Sequence, residues 1–158
     1  MSKKHSLKLN KIQVVILVGG YGKRLKHLTK KTPKPIIQIQ KKPFLFYLLK
    51  YLINQGLSNF LFLAGFKGKQ LENYLNENFK IKGIKINVYI ERKPMGTGYA
   101  LKKAFNKLEK NFLLLNGDTF TNLKFKNFLK NVDSNKIINI SVTKKKSNTS
   151  GNFFIKKN

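Results

Sequence analysis

Residues 13–18 read QVVILV, and the run drops at once into GGYG at residues 19–22. A short β-branched apolar run bounded by glycine reads as a buried strand. A strand of that kind needs other elements to cover it, so it fixes the start of a packed domain. Three glycines, Gly19, Gly20 and Gly22, follow its C-terminal end, and Lys23 and Arg24 come directly after them. Lysines at 3, 4, 8 and 11 precede the run, as they would in a signal peptide. The apolar stretch is short, however, and no small-x-small cleavage pattern follows it, so the strand reading is preferred to the signal peptide.

Similar apolar runs recur along the chain, separated by helical patterns. Residues 43–56 carry apolar side chains at helical spacing and end at Gly56, a residue suited to closing a helix. NFLFLAG (59–65) reads as a second strand, residues 69–79 as an amphipathic helix, and residues 84–91 as a half-buried strand. The pattern predicts a helix over 97–110 with Thr97 as its cap, a buried strand over 111–117, and a short helix over 122–132. It predicts a further strand over 136–143, a polar loop over 143–151, and the start of another strand over 152–155. Strands alternating with helices imply an α/β sandwich around a largely parallel sheet. The 158 residues are read as one domain, long enough to bury a core.

In such sheets ligands bind beyond the C-terminal ends of the strands. Three places qualify: the glycine loop, the stretch from Glu91 to Thr97, and the loop around Asp118. The glycine loop is neither a Walker P-loop nor a dinucleotide fingerprint. Gly22-Lys23 continues into Arg24 where the first needs Ser or Thr, and Leu25 stands where the second needs glycine. Its glycines still let backbone N–H groups approach phosphate oxygens, and Arg24 has the planar fork that grips two of them. Lys34 lies between Pro33 and Pro35, which restrict its backbone on both sides. Glu91 is one of six acidic residues and can accept hydrogen bonds from a donor-rich base edge such as guanine's. Gly96 and Thr97 offer backbone amides and a hydroxyl, and Asp118 at a strand end is a natural Mg²⁺ ligand. Taken singly, each of these also reads as a turn, a cap or a solvated charge.

Taken together they resemble the sugar-phosphate nucleotidylyltransferases. That family opens with a strand and Leu-x-Gly-Gly-x-Gly-Thr-Arg-Leu, followed by Pro-Lys-Pro. Here the stretch runs from Leu17, Val18, Gly19 and Gly20 through Gly22, Lys23 and Arg24 to Leu25, then Pro33-Lys34-Pro35. The later Pro-x-Gly-Thr corresponds to Pro94-Met95-Gly96-Thr97 and the strand-end Gly-Asp to Gly117-Asp118. The resemblance implies a Rossmann-like, three-layer α/β/α (GT-A-like) fold with a mostly parallel mixed sheet. It implies transfer of a nucleotidyl group from a nucleoside triphosphate to a sugar 1-phosphate, with release of pyrophosphate. Arg24, Lys34 and Asp118 would be catalytic. Val18, Gly19, Gly20, Gly22, Lys23, Arg24, Glu91, Gly96 and Thr97 would bind the nucleotide, and Asp118 would hold Mg²⁺. Within the family the chain is similar to heptose and mannose 1-phosphate guanylyltransferases, which favours GTP. Lys23 departs from the usual Thr or Ser. The family's chains also continue beyond the point matching Asn158, so sugar contacts and a second metal carboxylate are expected outside these residues.

Charge and composition leave other readings open. The net charge of +27 invites a nucleic-acid partner. The lysines are nevertheless spread along the chain, and abundant Lys, Asn, Ile and Phe are what A/T-rich codons encode. A nucleotide-binding protein without catalysis is the nearer alternative, and a basic nucleic-acid binder the more distant one. Self-association stays open. With no cysteine there is no disulfide framework, which fits the cytoplasm, and no apolar run reaches the ~18 residues of a membrane span.

Overall fold

The computed structural model describes residues 8–22, 29, 31–93, 95–133 and 135–141. Strand β1 (Gln13–Val18) is the apolar run that opens the fold. Two short strands, β2 (Gln38–Ile39) and β3 (Lys42–Pro43), pair antiparallel as a small ribbon and lead into helix α1 (Phe44–Asn54). Then follow β4 (Asn59–Ala64), α2 (Gly68–Asn78), β5 (Lys85–Ile90), α3 (Thr97–Lys103), β6 (Phe112–Asn116) and α4 (Phe125–Lys130). The main sheet has the order β5-β4-β1-β6, and every pair in it is parallel. Among the described residues no helix is long and apolar enough to cross a membrane.

Strand β1 is paired on both edges, with Val14 opposite Phe60 and Leu113, and Ile16 opposite Phe62 and Leu115. Its alternate residues serve opposite faces, because successive side chains of a strand point to opposite sides. Val14, Ile16 and Val18 join one core with Leu45, Leu48, Leu49 and Leu52 of α1, Leu71 and Leu75 of α2, and Phe125 and Leu129 of α4. Val15 joins a smaller core with Leu61, Leu63, Ala100 and Ala104 on the face of α3. The result is three layers, helices on both faces of a parallel sheet. Phe60 and Phe62 are wholly buried, and each contributes roughly 2 kcal/mol of apolar burial. Helix α1 turns its buried leucines inward at spacings of three and four, and Gly56 follows it with φ +89.

Two glutamines tie the loops to this core. The buried Gln13 donates from Nε2 to the Lys107 carbonyl (2.8 Å) and accepts from the Glu109 N–H at Oε1 (3.0 Å). Gln55 does the same for the entry to α4, donating to the Leu123 carbonyl (3.1 Å) and accepting from the Phe125 N–H (2.9 Å).

The structure departs from the expected elements at three points. Helix α3 ends at Lys103 and gives way to a 3-10 turn over Phe105–Lys107, short of the predicted residue 110. The Gln13 side chain occupies backbone groups that a longer helix would use. The cap of α3 is Gly96, at φ +96, and Thr97 is the first helical residue, with no side-chain cap bond. Residues 136–141 form no strand. Asn139 instead bonds the backbone of Asp133 at both N–H (3.0 Å) and carbonyl (3.1 Å), and Ile137, Ile138 and Ile140 stand exposed. The rest of that predicted strand, the loop over 143–151 and the strand over 152–155 lie outside the described residues.

Gln13→Leu leaves the Lys107 carbonyl and Glu109 N–H without their partner. We expect a loss of about 2 kcal/mol in unfolding free energy, read from denaturant titration.

Candidate functional site

The C-terminal ends of β1, β4, β5 and β6 open into one cleft of about 450 Å³. Its walls include Val18, Gly19, Gly20 and Gly22 after β1, Lys34 with Pro35, Glu91 after β5, Gly96 and Thr97 at α3, and Asp118 after β6. All the described residues expected in the site therefore meet in one place. Lys23, Arg24 and the motif residue Pro94 lie outside the described residues. Leu17, Leu63, Ala100, Asn116 and Gly117 also line the cleft. Leu63 and Ala100 read in sequence only as core. Asn116 carried a weak signal, a polar residue closing an apolar strand.

The loop after β1 is shaped by what its glycines leave out. Gly22 has φ +63, and a Cβ there would fall 2.7 Å from Thr29 Cγ2 and 3.3 Å from Lys34 Cβ. Gly22 thus makes room for the lysine stem. The Thr29 hydroxyl donates to the Gly22 carbonyl (3.3 Å) and holds the loop from below. Lys34 opens a 3-10 turn (Lys34–Ile36) whose preceding residue, Pro33, is extended and whose next residue, Pro35, is buried. Gly117 donates its N–H to the Leu17 carbonyl (2.9 Å), and a Cβ there would collide with Val18 Cγ1. That close approach sets Asp118 beside the end of β1.

Lys34 and Asp118, 84 residues apart, are joined by an ion pair of 2.7 Å between Nζ and Oδ2. Both side chains are substantially exposed, at 40% and 49%, so the pair adds little to stability. The Lys34 hydrogen bond holds the Asp118 carboxyl below its ordinary value, against partial burial, with the lysine charge and the Thr119 hydroxyl (3.3 Å) assisting. Glu91 behaves in the opposite way. It is 9% exposed, its backbone N–H bonds the Ala64 carbonyl (2.8 Å), and its Oε2 is buried with no hydrogen-bond partner among the described residues. Desolvation raises its carboxyl above the ordinary value. A buried acceptor left without a donor costs free energy, and a ligand that brings the donor recovers it.

A model of the nucleotidyl transferase family matches residues 13–153. A D-glycero-alpha-D-manno-heptose 1-phosphate guanylyltransferase of Aneurinibacillus thermoaerophilus is 44% identical over 109 residues, which are 68% of this chain and 46% of the relative. The mannose-1-phosphate guanylyltransferase catalytic subunit beta of Xenopus tropicalis is 32% identical over 122 residues, 75% of this chain and 34% of that one. The solved structure of HddC from Yersinia pseudotuberculosis, complexed with GMP-PN, superimposes with a TM-score of 0.67 at 36% identity, over 75% of this chain and 53% of that one. The chain spans about half the length of the heptose 1-phosphate guanylyltransferases it matches.

The two carboxyl shifts have opposite signs, so their effects on stability run opposite ways with pH. The Asp118 contribution is present above its ordinary value of 3.8 and is lost as pH falls through the lower folded value. Carbon-detected NMR should show the Asp118 midpoint rising in Lys34→Met. The Glu91 contribution is present below 4.5 and is lost as pH rises through the folded value. The melting temperature of Glu91→Gln minus that of the unmutated protein should therefore increase between pH 4 and pH 7.

Proposed function

The chain belongs to the nucleotidyl transferase family, and from that membership we propose that its cleft serves transfer of a guanylyl group from GTP to a sugar 1-phosphate. On this reading the 158 residues are the nucleotide-binding portion of a single nucleotidyltransferase domain. The observation that carries the choice of nucleotide is the Glu91 carboxylate at the cleft wall, whose buried Oε2 has no hydrogen-bond partner among the described residues. Guanine presents N1–H and N2–H donors side by side, and a carboxylate accepts both. Adenine offers no such pair. The names of the relatives add support for GTP and for a manno-configured sugar 1-phosphate as acceptor.

The reaction asks an anionic sugar phosphate to attack an anionic phosphorus. A phosphate oxygen of the sugar forms a bond to the α-phosphorus, the bond from that phosphorus to the bridging oxygen of the β-phosphate breaks, and pyrophosphate leaves. Positioning and neutralisation of charge carry such a step. Glu91 holds the base, and Val18, Gly96 and Thr97 line the nucleoside side of the cleft. Gly19, Gly20 and Gly22 keep the backbone free of side chains where phosphates pass. Lys34, once released from Asp118, neutralises the α-phosphate and the incoming sugar phosphate. Arg24 and Lys23 are assigned to the triphosphate by the motif alone.

Mg²⁺ binds one or two protein carboxylates and keeps water and phosphate oxygens as its other ligands. Asp118 fits that demand as a half-exposed carboxylate on the cleft wall. Among the described residues no group of three His, Cys, Asp or Glu side chains gathers to hold a metal without help. When bound, the ion would neutralise phosphate charge.

Purified protein given Mg²⁺, each nucleoside triphosphate and a panel of sugar 1-phosphates should release pyrophosphate, with GTP preferred. Asp118→Asn and Arg24→Ala should each lower turnover about 100-fold or more, with circular dichroism unchanged. Absence of pyrophosphate with every pair would overturn the proposal for this chain.

A further inference from the structure

Glu91 follows the end of β5, and its carboxylate reaches across the one intervening strand, β4, to β1. Its N–H is bonded to Ala64 at the end of β4, and its Oε1 lies beside Gly19, the first residue after β1. A Cβ built on Gly19 would stand 2.7 Å from that oxygen. The residue passed on the way is Gly65, which has no side chain to obstruct the path. The backbone of Gly19 needs no glycine: its φ lies outside the left-handed region, unlike that of Gly22 or Gly96. Apart from Glu91, the nearest atoms to the added Cβ are the Gly65 nitrogen at 3.4 Å and the Leu63 carbonyl oxygen at 3.7 Å, which are ordinary contacts. What an added methyl group would displace is therefore one thing, the Glu91 carboxylate.

We propose that Gly19 is a specificity-determining positioning residue: the space left by its missing side chain is the berth that holds the Glu91 carboxylate where the base is read. The proposal rests on the reading of Glu91 as the acceptor for guanine. Phosphate approach and base selection then make separate demands on the glycine loop. Gly22 supplies a turn and room for Lys34. Gly19 acts through a side chain 72 positions away, on the base side of the cleft. The glutamate is long and can rotate, so a methyl group at position 19 moves the carboxylate without breaking the fold.

The test compares GTP with ITP, which lacks only the 2-amino group, by calorimetry on the unmutated protein and on Gly19→Ala. The unmutated protein should prefer GTP by about tenfold or more, the worth of a hydrogen bond to a charged group. In G19A the ratio should fall towards one, and the NMR titration midpoint of Glu91 should drop towards its ordinary value as the carboxylate moves into water. If the unmutated protein shows no preference, Glu91 does not read the 2-amino group, and that earlier reading fails by itself. If the unmutated protein discriminates and G19A retains both the full ratio and the raised Glu91 midpoint, the berth is wrong. Should G19A fail to fold, the substitution is repeated in an Glu91→Ala background. There the berth is empty and the double variant should melt with E91A; a further drop in melting temperature overturns the proposal.

Discussion

The double pairing of β1 is the constraint on which everything else hangs. Val14, Val15 and Ile16 are wholly buried, and the strand has a parallel neighbour on each edge. A strand so enclosed cannot shift in register without breaking its ladders on both edges and misfitting the apolar cores on both faces. Its C-terminal end is therefore a fixed point, and Gly19 and Gly117 are anchored to it from two directions. Because all four strands of the main sheet run the same way, their C-terminal ends share one edge. The chain delivers Glu91, Asp118 and the glycine loop to that edge as a consequence of topology.

Around this fixed point the site is largely defined by absent atoms. Gly22 leaves space for the stem of Lys34, Gly117 for the side chain of Val18, and Gly19 for the carboxylate of Glu91. Each glycine lets a different neighbour approach β1. The same strand end thus accommodates a cation, a close backbone contact and a buried anion within one cleft. The carboxyl groups of Glu91 and Asp118 are shifted in opposite directions by their settings: one is desolvated with Oε2 unpartnered, the other is paired and half in water.

Much of this was legible in the sequence because it rests on short-range signals. β1, β4 and α1 follow from apolar periodicity and from glycine punctuation, and their bounds agree with expectation to within two residues. The clustering of Lys34, Glu91, Gly96 and Asp118 follows from strand ends in a parallel sheet. What was hidden depends on partners distant in sequence. Beyond the 3-10 turn that ends α3, the backbone groups of Lys107 and Glu109 bond to Gln13, more than ninety residues earlier. In 136–141, which form no strand, Asn139 folds back on the backbone of Asp133. The β2–β3 ribbon turns at Gln40, with φ +61, where neither glycine nor asparagine announces the turn. Lys23 and Arg24 lie outside the described residues, and their assignment rests on the motif alone.

The ion pair between Lys34 and Asp118 has a consequence for what the cleft will accept. A cation and an anion that satisfy each other present a nearly neutral surface, even on a chain of net charge +27. A lone phosphate approaching Lys34 must compete with a carboxylate that is already in place, and its capture would strand that carboxylate. A ligand that arrives as a phosphate together with a metal ion meets a different balance. With the roles proposed above, Lys34 would exchange one oxyanion for another and Asp118 one cation for another, and no charge would be left alone. On the function proposed above, the pair therefore favours a metal–polyphosphate complex over either component by itself.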